Sequence, residues 1–309
     1  MPMPRSEWIW KNGAFVAWDD ATVHVCSHVL HYGSSVFEGL RAYATPRGPA
    51  VLGLDAHLER LRFSGRFLRM ELPYSHEELR AAVLETIRKN RHESCYIRPI
   101  AYRGYDTLGV YPLSCPVEVA IATWVWGVYL GPEAKTRGVD VGVSSWRRAA
   151  PDTLAPMAKI GGQYVSSQMA VIEARERGFH EGLLLDASGY LSEGPGENLF
   201  LVWKGELYTP PLGSSILGGI TRGYVLELAR EQGLRVREEN LPREMLYLAD
   251  EAFFTGTAVE ITPIRSFDGL VVGKGERGPI TTNLMRAFEA AISGRGDDRG
   301  WLSYVRAPG

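Results

Sequence analysis

The sequence predicts an α+β protein folded in two halves. Strand-like and helix-like stretches are mixed without the regular alternation that builds a doubly wound parallel sheet. At 309 residues the chain is long enough for two cores, although one large domain is compatible with the same length. Gly127 to Gly138, with Gly131-Pro132 and mixed charges, has the punctuation of a linker. The expected division is an N-terminal domain over 1–126, a linker over 127–138 and a C-terminal domain over 139–309 that carries Lys159.

The chain opens in a sheet. Apolar-rich runs at 8–10 and 14–18 flank Lys11-Asn12-Gly13, and Asn-Gly between such runs is a strong hairpin signal. A helix follows from Asp55, read as its N-cap, with Leu58, Leu61 and Leu68 near one face. Ser75 and Glu78 form a capping box for the next helix, which runs through Leu79, Val83 and Ile87. Tyr96 to Tyr102, Val117 to Trp126 and Val139 to Ser145 read as strands. A helix from Tyr164 to Arg177 stops at Gly178, and another from Thr221 to Gln232 stops at Gly233, as C′ glycines dictate. Short strands and turns lie between these helices. Strands return at Val236, 252–255 and 261–267, and a last helix covers 280–292.

A formal net charge of −2 supplies no electrostatic footprint for nucleic acid or an anionic membrane. No window reaches the apolar length of a membrane span, and the first eleven residues lack the apolar core of a signal peptide, so a cytoplasmic location is expected. Cys26, Cys95 and Cys115 form no C-x-x-C pair and are read as core or incidental thiols.

Three apparent motifs are set aside. Gly273, Gly275 and Gly278 match G-x-G-x-x-G, but too little chain follows for a dinucleotide-binding unit, and a turn-rich hairpin explains them better. Gly269 to Lys274 lacks the spacing of a P-loop. His24, His28 and His31 have no His-Glu-x-x-His context and are read as hydrogen-bonding residues, with no metal expected.

What remains is a set of groups suited to one chemistry. Lys159 stands between Ala158 and Ile160, followed by Gly161 and Gly162, without an adjacent carboxylate. Such an amine can condense with an aldehyde, although these neighbours alone favour an ordinary surface lysine. The two glycines would leave room beside the backbone for a bound group. Glu193 and Glu197 sit in a tight turn before an apolar strand, where one could face a protonated ring nitrogen or both could simply cap the turn. Leu217-Gly218-Gly219-Ile220-Thr221 opens a helix, and Thr255-Gly256-Thr257-Ala258 ends a strand; both offer hydroxyls and N–H groups to an anion. An amine, an acid and phosphate cradles are together the parts needed to hold pyridoxal phosphate.

The order of 157–164, 193–200, 217–222 and 255–263 resembles that of the fold-type IV pyridoxal-phosphate aminotransferases. Within that group His28-Val29-Leu30-His31-Tyr32-Gly33, Phe37-Glu38-Gly39, Tyr96-Ile97-Arg98-Pro99 and Trp126-Gly127-Val128-Tyr129-Leu130-Gly131 resemble the bacterial branched-chain amino acid aminotransferases, and the likeness runs from Trp8 to Trp301. The resemblance implies a smaller N-terminal α/β domain and a larger pseudo-barrel α/β domain. It implies transamination of L-leucine, L-isoleucine and L-valine with 2-oxoglutarate by an oligomer, at least a homodimer and often a homohexamer.

The same resemblance makes Lys159 the lysine that bonds pyridoxal 5'-phosphate and Tyr164 the donor to its phenolic oxygen. Glu193 is implied at the ring nitrogen, Leu217 against the ring, and Arg60, Ile220, Thr221, Gly256 and Thr257 around the phosphate. Tyr96, Thr257 and Ala258 would receive the substrate α-carboxylate, and Arg98 would support Tyr96 and reach the side-chain carboxylate of glutamate. Tyr32, Phe37, Tyr129 and Tyr164 would wall an apolar pocket, with Val110 supplied by a neighbouring subunit. Related readings on the same fold are a D-amino acid aminotransferase, an (R)-selective amine aminotransferase and aminodeoxychorismate lyase. Tyr96-Ile97-Arg98-Pro99 with Thr257-Ala258 favours the branched-chain reading. A binding protein without catalysis is the alternative of another class.

Overall fold

The computed structural model describes residues 3–127, 130–131, 133–296 and 299–305. Its packing separates into two compact units, one of Met1–Gly127, Ala158–Gly162 and Ala290–Gly309, the other of Val128–Met157 and Gln163–Glu289.

The first unit is built on an antiparallel sheet in the order Leu302–Tyr304, Ala50–Leu52, Leu40–Tyr43, Cys95–Arg103, Val117–Trp124, Trp8–Lys11 and Ala14–Ala17; Ser35–Phe37 also pairs with Cys95–Arg103. The opening hairpin turns at Asn12 and Gly13, whose φ values of 48° and 89° are those a two-residue primed turn requires. Helices Leu54–Phe67 and His76–Lys89 bury Leu58, Leu61, Leu79, Val83 and Ile87 with Ile97, Val119 and Ile121 of the sheet in one core. The capping box is complete: Ser75 N–H donates to Glu78 Oε2 at 2.7 Å and Glu78 N–H to Ser75 Oγ at 3.1 Å. Asp55 is not the N-cap of its helix. Gly53, at φ 63°, holds that position, and Asp55 instead pairs with His76 at 2.8 Å and Arg80 at 3.3 Å.

The second unit carries a mixed sheet in the order Val236–Glu238, Glu206–Thr209, Asn198–Trp203, Glu251–Gly256, Glu260–Phe267, Val139–Arg147 and Glu181–Leu185. Three of its pairings are parallel and the remainder antiparallel, which is the α+β character expected from irregular alternation. Glu181–Leu185 is buried along its whole length, so Leu183, Leu184 and Leu185 follow one another without alternation. Helices Tyr164–Glu176 and Ile220–Glu231 end just before Gly178 and Gly233, at φ 83° and 74°. The glycines of the apparent dinucleotide motif follow a hairpin in which Phe267 pairs with Leu270; a Cβ on Gly273 would lie 2.1 Å from the Asp250 carbonyl.

Cys95 and Cys115 are buried, and burial pushes the Cys95 thiol up to about 12, the setting of an inert core thiol. Among the described residues no helix is long and apolar enough to cross a membrane.

Candidate active site

Lys159 is held in the first unit by strand-like pairing. Ile160 bridges to Val36, the Lys159 carbonyl accepts from Phe37 N–H at 3.1 Å, and Lys159 N–H donates to Ser64 Oγ at 2.9 Å. The backbone is thereby fixed on both sides, and Nζ lies 4.9 Å from the centre of the Phe37 ring. The room beside Gly161 and Gly162 is taken by the protein itself. A Cβ on Gly161 would meet Ser35 Oγ at 2.2 Å, and one on Gly162 would meet the Gly33 carbonyl at 3.2 Å, so these glycines serve the close approach of two backbone segments.

Arg60 lies on the helix Leu54–Phe67 and forks onto Glu38, Nε to Oε1 at 2.6 Å and Nη2 to Oε2 at 2.8 Å. His57, one turn earlier on the same face, meets Glu38 Oε2 through Nδ1 at 2.7 Å. Glu38 is wholly buried. Burial opposes its charge, but the Arg60 guanidinium and then His57 outweigh that and hold the carboxyl below its ordinary value. Burial likewise lowers His57, against the pull of Glu38 and with smaller contributions from Arg60 and Lys159. His57 is therefore neutral and donates its Nδ1 proton to the ionised Glu38.

Tyr96 and Arg98, two residues apart on Cys95–Arg103, point to the same face. Arg98 Nη2 donates to the Tyr96 hydroxyl at 3.1 Å, and the guanidinium lies 4.7 Å from the Phe37 ring centre and 5.2 Å from that of Tyr96. Trp126 packs edge-on against Tyr96 at 4.3 Å. Gly39 is required here, because a Cβ would lie 1.9 Å from the Tyr96 hydroxyl. The unit thus presents a stacked cation, a phenol and aromatic walls together. Tyr32 and Val110 are not packed among them: Tyr32 stacks on His28 at 4.5 Å and is half exposed, and Val110 is 86% exposed. The three histidines make the hydrogen bonds expected of them, His28 with Ser34 and the Gly109 carbonyl, His31 with the Val25 carbonyl and His24 with Cys26 N–H.

In the second unit Glu193 is 4% exposed and surrounded by donors. Oε2 accepts from Asn198 Nδ2 at 2.9 Å and from Leu217 N–H at 3.0 Å, while Oε1 faces Arg148 Nη2 at 2.6 Å. These three contacts favour the ionised, acceptor-only carboxylate. Glu197 does the turn-capping work, accepting from Gly196 N–H at 2.9 Å. Asn198 also donates to the Leu217 carbonyl at 2.9 Å, and a Cβ on Gly219 would lie 1.9 Å from its Oδ1. One side chain therefore ties the acid's turn to the turn that opens the helix Ile220–Glu231. Thr221 is buried in that helix's first turn, and among the described residues no side chain caps it. Gly256 ends the strand Glu251–Gly256, and Thr257 and Ala258, both half-buried, begin the turn that leads to Glu260–Phe267. Tyr164 is the first residue of its helix, and Tyr129 lies outside the described residues.

Sequence reasoning gave no role to Glu38, His57, Ser64, Arg148 or Asn198. The spacing of His57 and Arg60 on one helix face was the available signal for a shared partner. Nothing local marked Arg148.

The model of the amino-transferase class IV family matches residues 35–267. A branched-chain-amino-acid aminotransferase of Salmonella typhimurium is 49% identical over 309 residues, covering 99% of this chain and 100% of its own. The crystal structure of the Escherichia coli branched-chain amino acid aminotransferase matches with a TM-score of 0.96 at 49% identity, covering 98% of this chain and 100% of that one. The branched-chain amino acid aminotransferase from Thermobaculum terrenum in its PLP-form matches with a TM-score of 0.91 at 33% identity, covering 98% of this chain and 99% of that one. On a family model spanning most of its length and relatives matched from end to end, the chain belongs to the class IV amino-transferase family.

Proposed function

We propose that the protein is a branched-chain amino acid aminotransferase that uses pyridoxal 5'-phosphate to move the amino group of L-leucine, L-isoleucine or L-valine to 2-oxoglutarate, giving 2-keto acids and L-glutamate. The observation that carries this reading is Glu193, a buried acid kept as an acceptor by Arg148, Asn198 and Leu217 N–H, one turn away from a helix start with no side-chain cap among the described residues. That donor and acceptor set fits a protonated ring nitrogen and a phosphate. Thr255 Oγ1, buried without a hydrogen-bond partner among the described residues, adds an orphan donor beside Gly256 and Thr257.

In this reading Arg60, Ile220, Thr221, Gly256 and Thr257 bind the phosphate, and Leu217 packs against the ring. Tyr164 donates to the phenolic oxygen and Glu193 faces the ring nitrogen. When bound, the cofactor supplies the aldehyde that carries the amino group and the ring that withdraws electrons from the substrate. Lys159 would take the proton from the substrate Cα and deliver it to C4′ of the cofactor, and would carry it the opposite way in the second half-reaction. Tyr96, Thr257 and Ala258 hold the α-carboxylate. Arg98, stacked on aromatic rings at the edge of Phe37, can meet the glutamate side-chain carboxylate without standing as a naked charge against an aliphatic side chain. Phe37 and Tyr164 would wall the apolar side of the pocket.

The domain boundary is taken within 127–138, with Lys159 brought back to the first unit by its pairing to Val36. The protein is read as cytoplasmic and as a homodimer or a larger assembly such as a homohexamer. Tyr105, Leu108, Val110, Tyr111 and Leu113, all exposed on one segment of the first unit, support subunit association. Mass measurement by light scattering tests it, and a monomer at micromolar concentration would count against it.

The function is tested by following cofactor absorbance with L-leucine, L-valine, L-glutamate, D-alanine and (R)-1-phenylethylamine singly. The three L-amino acids are expected to convert the cofactor. A response confined to the D- or (R)-substrates would overturn the assignment.

A further inference from the structure

Arg148 is a charged residue of the second unit to which the roles above give no task beyond its contact with Glu193. It is held on several sides: its backbone N–H donates to the Leu185 carbonyl at 2.9 Å, Nε to the Ser215 carbonyl at 3.3 Å and Nη1 to Ser167 Oγ at 3.4 Å. Ser215 adopts φ 58°, a region that residues with side chains seldom enter, so an unfavourable backbone conformation is maintained where its carbonyl meets the guanidinium. Ser167 belongs to the helix that begins at Tyr164, and Ser215 to the turn that leads to Leu217. Arg148 thus touches three segments that carry proposed cofactor contacts, including the Glu193 carboxylate at 2.6 Å.

We propose that Arg148 is a positioning residue that decides where the proton shared by Glu193 and the cofactor's ring nitrogen resides, driving it onto the ring. The proposal rests on the reading that Glu193 faces that nitrogen. A proton on Glu193 would remove the charge facing a guanidinium that is itself only 13% exposed, leaving a largely buried cation without its counter-charge. It would also place an O–H on a carboxyl group whose Oε2 already accepts two N–H donors and whose Oε1 faces a third. The anion is therefore retained and the ring nitrogen keeps the proton. With a neutral residue at 148 the buried pair of opposite charges loses this bias, and transfer of the proton to the carboxylate relieves the cost of separating charge away from water.

The test is nitrogen-15 NMR of the holoenzyme reconstituted with cofactor labelled at the ring nitrogen. Wild type and Arg148→Lys, which keeps the charge, are expected to give the signal of a protonated ring. Arg148→Gln is expected to move it most of the way to the unprotonated position while the cofactor stays bound by absorbance; an unchanged signal would overturn the proposal. If Arg148→Gln does not fold, Arg148→His carries the test, its signal expected to switch as the imidazole gains charge at low pH, and a pH-independent protonated signal contradicts the proposal. Glu193→Gln separates the premise: a wild-type signal in that variant shows that Glu193 is not the partner of the ring nitrogen, and the underlying reading fails with it.

Discussion

Replacing Glu38 by glutamine tests the buried ion pair that fixes Arg60. Three side-chain donors converge on this carboxylate, Arg60 Nε at 2.6 Å, Arg60 Nη2 at 2.8 Å and His57 Nδ1 at 2.7 Å, and Gly39 N–H adds a longer contact at 3.3 Å. Glutamine keeps the shape and one acceptor but turns an amide N–H₂ against a donor. Two charge-assisted bonds are lost, at about 1.5–3 kcal/mol each. The easier burial of a neutral amide offsets part of that, leaving a net cost of about 2–4 kcal/mol. Because the Glu38 carboxyl is held below its ordinary value, its contribution is full above the unfolded-chain value of about 4.3 and is lost only as pH falls through the folded value. Thermal unfolding of the apoprotein near pH 7.5 therefore reads the whole effect, as a fall of several degrees in melting temperature. Combining Glu38→Gln with Arg60→Met removes the stranded cation and is expected to recover part of the loss. A Glu38→Gln protein that melts within about one degree of wild type would refute the reasoning, since a loss of even about 1 kcal/mol moves Tm by more than that in domains of this size.

Three further outcomes follow from the same geometry. Arg60→Ala is expected to weaken pyridoxal phosphate binding by about 10–100-fold, as loss of one charge-assisted hydrogen bond implies, while leaving the affinity for unphosphorylated pyridoxal nearly unchanged in equilibrium titration. Gly39→Ala puts a Cβ where the Tyr96 hydroxyl lies, 1.9 Å away, so the phenol must move; KM for leucine should rise at least tenfold, with the cofactor spectrum unaltered. Arg98→Leu should raise KM for glutamate by at least tenfold more than KM for leucine in paired half-reactions, since only glutamate has a side-chain carboxylate to lose its partner.

Local chemistry was legible from the sequence where one short stretch carries the whole signal. Asn12-Gly13 places a turn, Ser75 and Glu78 cap a helix reciprocally, and Gly178 and Gly233 stop two more. Strands Ser35–Phe37, Leu40–Tyr43 and Ala50–Leu52 left little trace, because three or four residues are too few to establish alternation. The N-cap at Gly53 was hidden for another reason: a glycine in the left-handed region can begin a helix, yet nothing local ranks it above the nearby Asp55. In the site, the local sequence leaves Lys159 looking like a surface lysine and Glu193 like a turn cap; it is their occurrence together with the glycine-rich turn before Thr221 that marks them, and the family resemblance supplies their roles. Glu38 and Arg148 could not, since their meaning depends on partners 22 and 45 positions away, Arg60 and Glu193, whose approach is a property of the fold. Gly161 and Gly162 belong with these, since the neighbours they admit, Ser35 and Gly33, are more than 120 positions away.

The most direct test of the central claim is chemical. The chain has six lysines, Lys11, Lys89, Lys135, Lys159, Lys204 and Lys274, and the account assigns the cofactor bond to Lys159. Borohydride reduction of the holoenzyme followed by peptide mass spectrometry is expected to find the phosphopyridoxyl group on Lys159 at about one per chain. Modification centred on any of the other five, or a protein that takes up no cofactor to be fixed, would contradict it.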